Sequence, residues 1–339
     1  MFARAAEGDL KLTADTGYDS NVRRDYLQTD GGIVSDAVMS LIGSGAASVK
    51  GSSGQAFGTY DVGLRKFLQY PSEDTLVQAA NGEGLFYLSG PFNLGVDAYA
   101  KDRRGGDRDY SDLLGAAFAE YAPDETLSFR FHAAAHRFIY WDNFAYSFSA
   151  PELGVAGRYR FNRHHAAFFN ADLGFRSYNA VAEPDEVSPR KDTAINAVVG
   201  YTYRGPFTVS ISYNFFEQDS NSFGESLQRH RGVLTAAFRL PWKLYFLAEG
   251  AIQYTRYPDG ILLSADVLLS QDEERNTNAL SLKLVRPLDT HVDAEAHYGL
   301  YHNRLPPSGC PADVPSCVPQ PDGLTYWRQV AWVGLTWRM

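Results

Sequence analysis

Apolar and polar side chains alternate along most of the chain with a period of two residues, which is the pattern of β-strands that have one apolar and one polar face. In one clear example, Leu244, Phe246 and Ile252 share a face, whereas Glu249 and Gln253 share the opposite one. The same alternation continues from near the start of the chain to its end. The pattern therefore predicts an all-β protein.

The alternating segments are longer than the five or six residues typical of strands in soluble sheets. A tilted strand needs about 9 to 11 residues to cross the hydrocarbon core of a bilayer. Segments of at least that order are predicted as sixteen strands, at 9–19, 36–50, 56–69, 75–89, 92–104, 110–121, 125–140, 147–161, 165–179, 191–204, 206–218, 227–240, 242–257, 274–286, 290–304 and 323–338. This length favours strands that cross a membrane.

The connections between these segments alternate in length. Tight connections rich in turn-forming residues lie at 51–54, 90–91, 122–124, 162–164, 205–206, 241 and 287–289. Longer and more polar ones lie at 20–35, 70–74, 105–109, 141–146, 180–190, 219–226, 258–273 and 305–322. Short periplasmic turns and long external loops are typical of bacterial membrane barrels. We therefore predict a transmembrane antiparallel up-and-down β-barrel of about sixteen strands, with both termini periplasmic because the strand count is even.

No break in composition divides the chain, so residues 9–339 are predicted to form a single barrel domain. Residues 1–8 are interpreted as a residual N-terminal segment. The spacing of Ala3, Arg4 and Ala5 resembles the small-x-small end of a signal peptide, which suggests a trimmed chain. An ordinary frayed terminus is the alternative.

Large aromatic residues fall mainly near strand ends on the apolar face, where the two interfacial belts of a membrane barrel would place them. They are Tyr121, Tyr159, Phe161, Phe169, Phe175, Tyr203, Phe207, Trp242, Tyr254 and Trp337. A soluble barrel or sandwich would turn its apolar face to a core, with the largest rings in mid-strand. The placement favours the bacterial outer membrane, with membrane lipid as the partner of the apolar face.

The polar face predicts the residues that line the lumen. Basic residues come from strands seven to twelve and from the last strand: Arg130, Arg158, Arg160, Arg176, Arg229, Arg231, Arg239 and Arg328. Acidic ones come mostly from the other strands: Asp61, Asp97, Glu249, Asp293 and Glu295. Such separation would create a transverse field and a modest anion preference. The alternative is that these charges pair and plug the lumen, although barrels of sixteen strands usually leave a water channel.

Several classes of function are disfavoured. The net charge of −9, from 31 Lys and Arg against 40 Asp and Glu, argues against a nucleic-acid partner. No acyl-transfer motif is present, so the chain is interpreted as neither an enzyme nor a cofactor-binding protein. His132 and His136 share one strand face and His291 and His297 another, but these strands belong to opposite walls. Because metal–ligand bonds are about 2 Å long, no metal site is predicted.

The two cysteines, Cys310 and Cys317, lie in one Pro-rich connection. A local pair in a loop suits a disulfide formed in an oxidising compartment. Two free thiols are the alternative. A metal site is disfavoured because two thiolates alone do not complete a tetrahedral shell.

The long alternating strands, the short and long connections, and the closing segment 326–339 together resemble a Gram-negative outer-membrane porin-type barrel. Such proteins usually end on an aromatic residue read by the barrel-assembly machinery, which the resemblance implies as a partner. Here the last residue is Met339, and Trp337 lies two places before it on the same face. The segment 15–22 also resembles the opening of barrels that export surface polysaccharide or deliver surface proteins.

Three functions follow as hypotheses. The first is a pore for hydrophilic solutes with a weak anion preference. The second is a dedicated export barrel for a surface polysaccharide, in which a glycan would pass lumen aromatics such as Tyr99, Phe168, Tyr178, Tyr245, Tyr301 and Trp332. The third is a non-conducting scaffold that anchors a machine of periplasmic or surface envelope proteins.

Overall fold

A computed structural model describes residues 5–23, 33–106, 108–182, 187–258, 260, 277–305 and 323–339. Within these residues, sixteen strands form one closed sheet. They are Ala5–Asp19 (β1), Asp36–Lys50 (β2), Gly54–Phe67 (β3), Thr75–Tyr87 (β4), Phe92–Arg104 (β5), Tyr110–Tyr121 (β6), Leu127–Tyr140 (β7), Phe148–Arg160 (β8), His165–Val181 (β9), Pro189–Arg204 (β10), Phe207–Ser220 (β11), Leu227–Leu240 (β12), Leu244–Arg256 (β13), Asn278–Pro287 (β14), Val292–Leu305 (β15) and Leu324–Arg338 (β16). Three 3-10 turns, Pro71–Glu73, Phe144–Tyr146 and Pro241–Lys243, lie in connections.

Every strand pairs antiparallel with its sequence neighbours, and β1 pairs with β16 to close the ring. At this seam, Leu10 and Met339 exchange two backbone hydrogen bonds, of 3.2 and 2.9 Å. Both ends of the chain therefore lie at the same end of the barrel as the tight connections, which we call the short-turn end. The opposite end is the long-loop end. The predicted all-β, antiparallel up-and-down barrel of sixteen strands is confirmed, and the side that faces the periplasm stays a prediction.

Contacts between strands that are not neighbours identify the inner face. Arg130 on β7 reaches Glu83 on β4 at 3.0 Å. The guanidinium of Arg65 on β3 stacks on the ring of Trp332 on β16, three strands away. Because side chains alternate along each strand and the pairing register is known, these contacts fix the face of every other strand residue.

Large apolar side chains cover the outer face. Of the ten aromatic residues predicted for the interfacial belts, nine are exposed on the barrel surface, and Trp242 at the tip of a short turn is 81% exposed. An apolar exterior around a closed sheet leaves no unpaired backbone group toward the hydrocarbon. The fold therefore places the chain in the bacterial outer membrane. The described residues contain no helix of the length and apolarity needed to span a membrane.

Two adjacent valines in the middle of β10 test which face meets lipid. Val199 points outward and is 55% exposed, whereas Val198 points into the lumen. We expect Val199→Arg to lower the free energy of unfolding by about 2–4 kcal/mol, because a cation at the bilayer midplane loses its hydration. Val198→Arg, the matched control, should change it little. Unfolding in lipid vesicles measures both; equal costs would contradict the assigned faces.

Asp124 closes the short turn between β6 and β7. Its Oδ1 accepts hydrogen bonds from the Thr126 hydroxyl at 2.5 Å, from the Thr126 amide at 2.7 Å and from the Leu127 amide at 3.2 Å. The bond from the Thr126 hydroxyl, and then those from the amides, lower the pKa of Asp124 below its ordinary value of 3.8.

A lowered pKa means that this carboxylate stabilises the fold at neutral pH, and that the contribution is lost as the pH falls through the lowered value. We expect Asp124→Ala to reduce the urea midpoint at pH 7 and to match the wild type once the pH is well below 3.8. The neighbouring Glu125→Ala is the control, since its side chain is 94% exposed. A difference that persists in acid would refute the assignment.

Two sequence predictions concern residues that lie outside the described ranges. Cys310 and Cys317 belong to the connection before β16, so their disulfide stays a prediction. The first residues of the strand predicted at 274–286 are likewise outside. At the N-terminus, β1 begins at Ala5, four residues before the predicted start of the first strand.

Candidate functional site in the lumen

The thirteen residues predicted to line the lumen all project from the inner face of the barrel, as the pairing register requires. They do not form one uniform wall. Some are neutralised by neighbouring side chains, whereas others have no ionic partner among the described residues. This division is what determines the electrostatics of the lumen.

Arg130 lies among carboxylates. Its guanidinium is 3.0 Å from Glu83, 3.5 Å from Asp97 and 3.8 Å from Glu120, and its Cζ lies 3.8 Å from the ring centre of Phe118. One cation faces three anions here. The short-turn half of the wall formed by β4 to β7 is therefore acidic in spite of Arg130.

Arg176 and Arg229 stand on either side of Phe216 in the long-loop half of the lumen. Their Cζ atoms lie 5.6 and 5.7 Å from its ring centre. Arg176 also stacks on Phe148 at 5.0 Å and donates to Gln218 at 2.7 Å. These side chains are packed into the wall and have little freedom to meet a passing solute.

Arg328 is the largest of the fully buried side chains among the described residues, at 1% exposed. Its Nε lies 3.0 and 3.1 Å from the two carboxylate oxygens of Asp19, and its Nη2 lies 2.6 Å from one of them. The pair joins β16 to β1 across the seam. Arg328 therefore belongs to barrel closure rather than to the open lumen surface.

A second group of arginines lies at the short-turn end. Arg158 on β8 and Arg239 on β12 are exposed, and their side chains have no ionic or hydrogen-bond partner in the described part of the chain. Arg204, the last residue of β10, shares these properties. Arg160 has only Glu125 at 3.9 Å. We call Arg158, Arg160, Arg204 and Arg239 the arginine rim.

Acidic groups at the same end come mainly from strands outside this sector. Glu7 and Asp9 on β1 and Asp61 on β3 face the lumen, and no ionic partner is seen for them among the described residues. Lys11 on β1, Lys50 on β2 and Glu249 on β13 are exceptions to a clean separation. The short-turn half thus has a basic sector on β8 to β12 and a largely acidic one on β1 to β7.

Two lumen histidines of β7, His132 and His136, are held by carboxylates. The two ring nitrogens of His136 lie 2.8 Å from Glu152 and 2.7 Å from Asp112. His132 lies 3.0 Å from Asp172. No cluster that could hold a metal ion occurs among the described residues.

Sequence reasoning missed two features. Arg204 is not among the predicted lumen residues, although its alternation with Gly200 and Thr202 places it on the inner face. The packing of the long-loop half was also missed. There, Tyr301, Leu305 and their neighbours form an apolar cluster on the inner face, a position that binary patterning assigns to polar residues.

Comparison with known proteins supports the fold. No protein-family model matches the chain, and none of the curated proteins matches it. Among solved structures it is similar to Salmonella typhi OmpF in complex with daunomycin, with a TM-score of 0.53, 10% identity and full coverage of both chains.

Two further structures are similar over 98% of each chain. One is Pseudomonas aeruginosa OccK5 (OpdH), with a TM-score of 0.43 at 8% identity. The other is a bacterial polysaccharide outer membrane secretin, with a TM-score of 0.44 at 9% identity. Of these three, OmpF alone scores above 0.5, and at 10% identity it shows the fold and nothing finer. The chain has the fold of an outer-membrane porin-type barrel.

Proposed function

We propose that the protein is an outer-membrane pore for small hydrophilic solutes with a weak preference for anions. The supporting observation is the arginine rim, in which the lumen-facing side chains of Arg158, Arg204 and Arg239 lack a carboxylate partner in the described residues. These arginines lie together on β8 to β12, apart from the unpaired acidic groups on β1 and β3, so anions are concentrated along this sector of the water-filled mouth. No catalytic step is part of this proposal.

The size of the barrel supports conduction. Sixteen strands enclose more space than side chains usually fill, and Phe57, Tyr245 and Leu247 on the inner face are each more than a third exposed. Water therefore reaches the inner wall of the short-turn half. In this proposal the short-turn end faces the periplasm, and lipid and the barrel-assembly machinery are the partners.

Ion conduction through the purified full-length chain in a planar bilayer tests the proposal. We expect stable open steps and, under a salt gradient, a reversal potential on the anion side. The preference should fade in about 1 M salt, where the screening length falls to about 3 Å. Protein that inserts but does not conduct would overturn the pore and favour an anchoring scaffold.

A further inference from the structure

The inner wall holds a recess of about 310 Å³ where β14 to β16 meet β1 to β3. Gly334 on β16 forms part of its lining and pairs with Asp15 on one side and with Glu295 on the other. Glycine has no side chain, so the two carboxylates flank an open position. A Cβ at this position would come within 2.5 Å of the Asp15 Cβ, and the close strand approach therefore requires glycine.

Hydrogen-bond donors and acceptors line the recess together. Asp15 accepts from the hydroxyl of Ser40, and the Lys283 ammonium lies 2.6 Å from Glu295. A carboxylate offers about four acceptor sites, so both retain unused lone pairs. The ammonium of Lys11 adds donors, and the hydroxyls of Thr13 and Ser44 are also among the lining groups.

Aromatic rings form another part of the lining. Trp332 and Tyr301 both border the recess. Trp332 packs against two apolar clusters of the long-loop half, and this fixes its ring. The guanidinium of Arg65 lies 5.0 Å from the Trp332 ring centre, and that of Arg328 lies 5.7 Å from Tyr301.

The charges around the recess nearly cancel. Its four cations, Lys11, Arg65, Lys283 and Arg328, stand against Asp15, Glu295 and, behind Arg328, Asp19. A site of this kind provides little net attraction for an ion. It can still satisfy a solute that both donates and accepts hydrogen bonds and that has an apolar face for an aromatic ring.

We propose that this recess binds a neutral polyhydroxylated solute, in chemical terms a sugar. Sugar hydroxyls donate to Asp15 and Glu295 and accept from Lys11 and Ser44, and the C–H face of the ring packs toward Trp332. The volume lies at the lower end of the range for small-molecule pockets. The assignment rests on the proposed function, because a solute reaches the recess through an open lumen.

Calorimetric titration of the full chain in detergent with glucose and maltose tests the site without requiring conduction. We expect saturable maltose binding in the millimolar range and weaker glucose binding. Asp15→Ala and Glu295→Ala should each raise the maltose Kd about tenfold, since each removes charge-assisted hydrogen bonds. Asp61→Ala and Glu249→Ala are the matched controls, because both carboxylates face the lumen outside the recess, and should leave Kd unchanged.

The results separate the two proposals. A chain that conducts ions but binds neither sugar overturns the sugar site and leaves the pore intact. Binding that the controls weaken as much as the recess variants also overturns it. Citrate is an anion and glycine is a zwitterion. Tighter binding of either one than of maltose would therefore overturn the assignment to a neutral solute. A chain that binds maltose as expected but does not conduct supports the site and overturns the pore.

Discussion

Replacing Arg328 by methionine is expected to lower the free energy of unfolding by about 3–5 kcal/mol, because the change leaves Asp19 charged and buried without its partner. Both side chains are almost fully buried, at 1% and 0% exposed. Asp19 also accepts a hydrogen bond from the backbone amide of Asn21, at 3.1 Å. Denaturant unfolding in detergent, followed by tryptophan fluorescence, measures the effect.

Two further variants separate loss of the ion pair from loss of side-chain volume. In the double variant Asp19→Asn/Arg328→Met no charge is stranded, so it should be more stable than Arg328→Met alone. Arg160→Met on β8 removes the partner of Glu125, but both side chains are exposed, at 40% and 94%, so the cost should stay within about 1 kcal/mol. Equal losses for the two single variants would refute a special role of the seam pair.

Reversing the charge of the arginine rim should convert the anion preference into a cation preference. The triple variant Arg158→Glu/Arg204→Glu/Arg239→Glu replaces three positive charges at one mouth by three negative ones. In a tenfold salt gradient we expect the reversal potential to change sign and to move toward the cation limit of roughly 59 mV. Assembly should survive, because lumen substitutions tune selectivity more than they affect insertion.

Arg286→Glu provides the matched control. Arg286 lies near the short-turn end of β14, but its alternation with Val285, which is buried on the inner side, places it on the outer face. Its reversal should leave ion selectivity unchanged. If the rim variant and Arg286→Glu shift the potential equally, the effect arises from overall charge rather than from the lumen.

The strands were predictable because their physical signal is local. Alternation alone places β6 at 110–121, where the structure has it, and turn residues bound β2 at 36–50 although its small side chains alternate poorly. The face of Gln78 was harder to predict, because Gln78 and Glu83 lie on opposite faces of β4 and one of these polar side chains must point toward lipid. The structure places Gln78 on the outer face, where it accepts a 2.6 Å hydrogen bond from the Tyr60 hydroxyl. A polar group is tolerated toward lipid when a neighbour satisfies it.

The electrostatics of the lumen could be predicted only in part. The alternation of side chains along a strand tells which face an arginine occupies, so the sequence predicts that both Arg130 and Arg158 face the lumen. It does not tell what lies within reach. Arg130 meets Glu83 three strands away, whereas Arg158 is paired across the sheet with Ser128 and Phe168. That difference depends on the curvature of the closed wall, which no local pattern encodes.

The two hydrogen bonds between Leu10 and Met339 have a topological consequence. Because of them, the backbone hydrogen bonds between neighbouring strands continue around the whole barrel. The gap between the two chain ends therefore takes the place of one more short turn. A chain with its termini joined and with a new opening at residues 205–206 would present the same sixteen pairings in a rotated order. The barrel is therefore defined by a cyclic sequence of strands, and the place where translation begins is separable from the architecture.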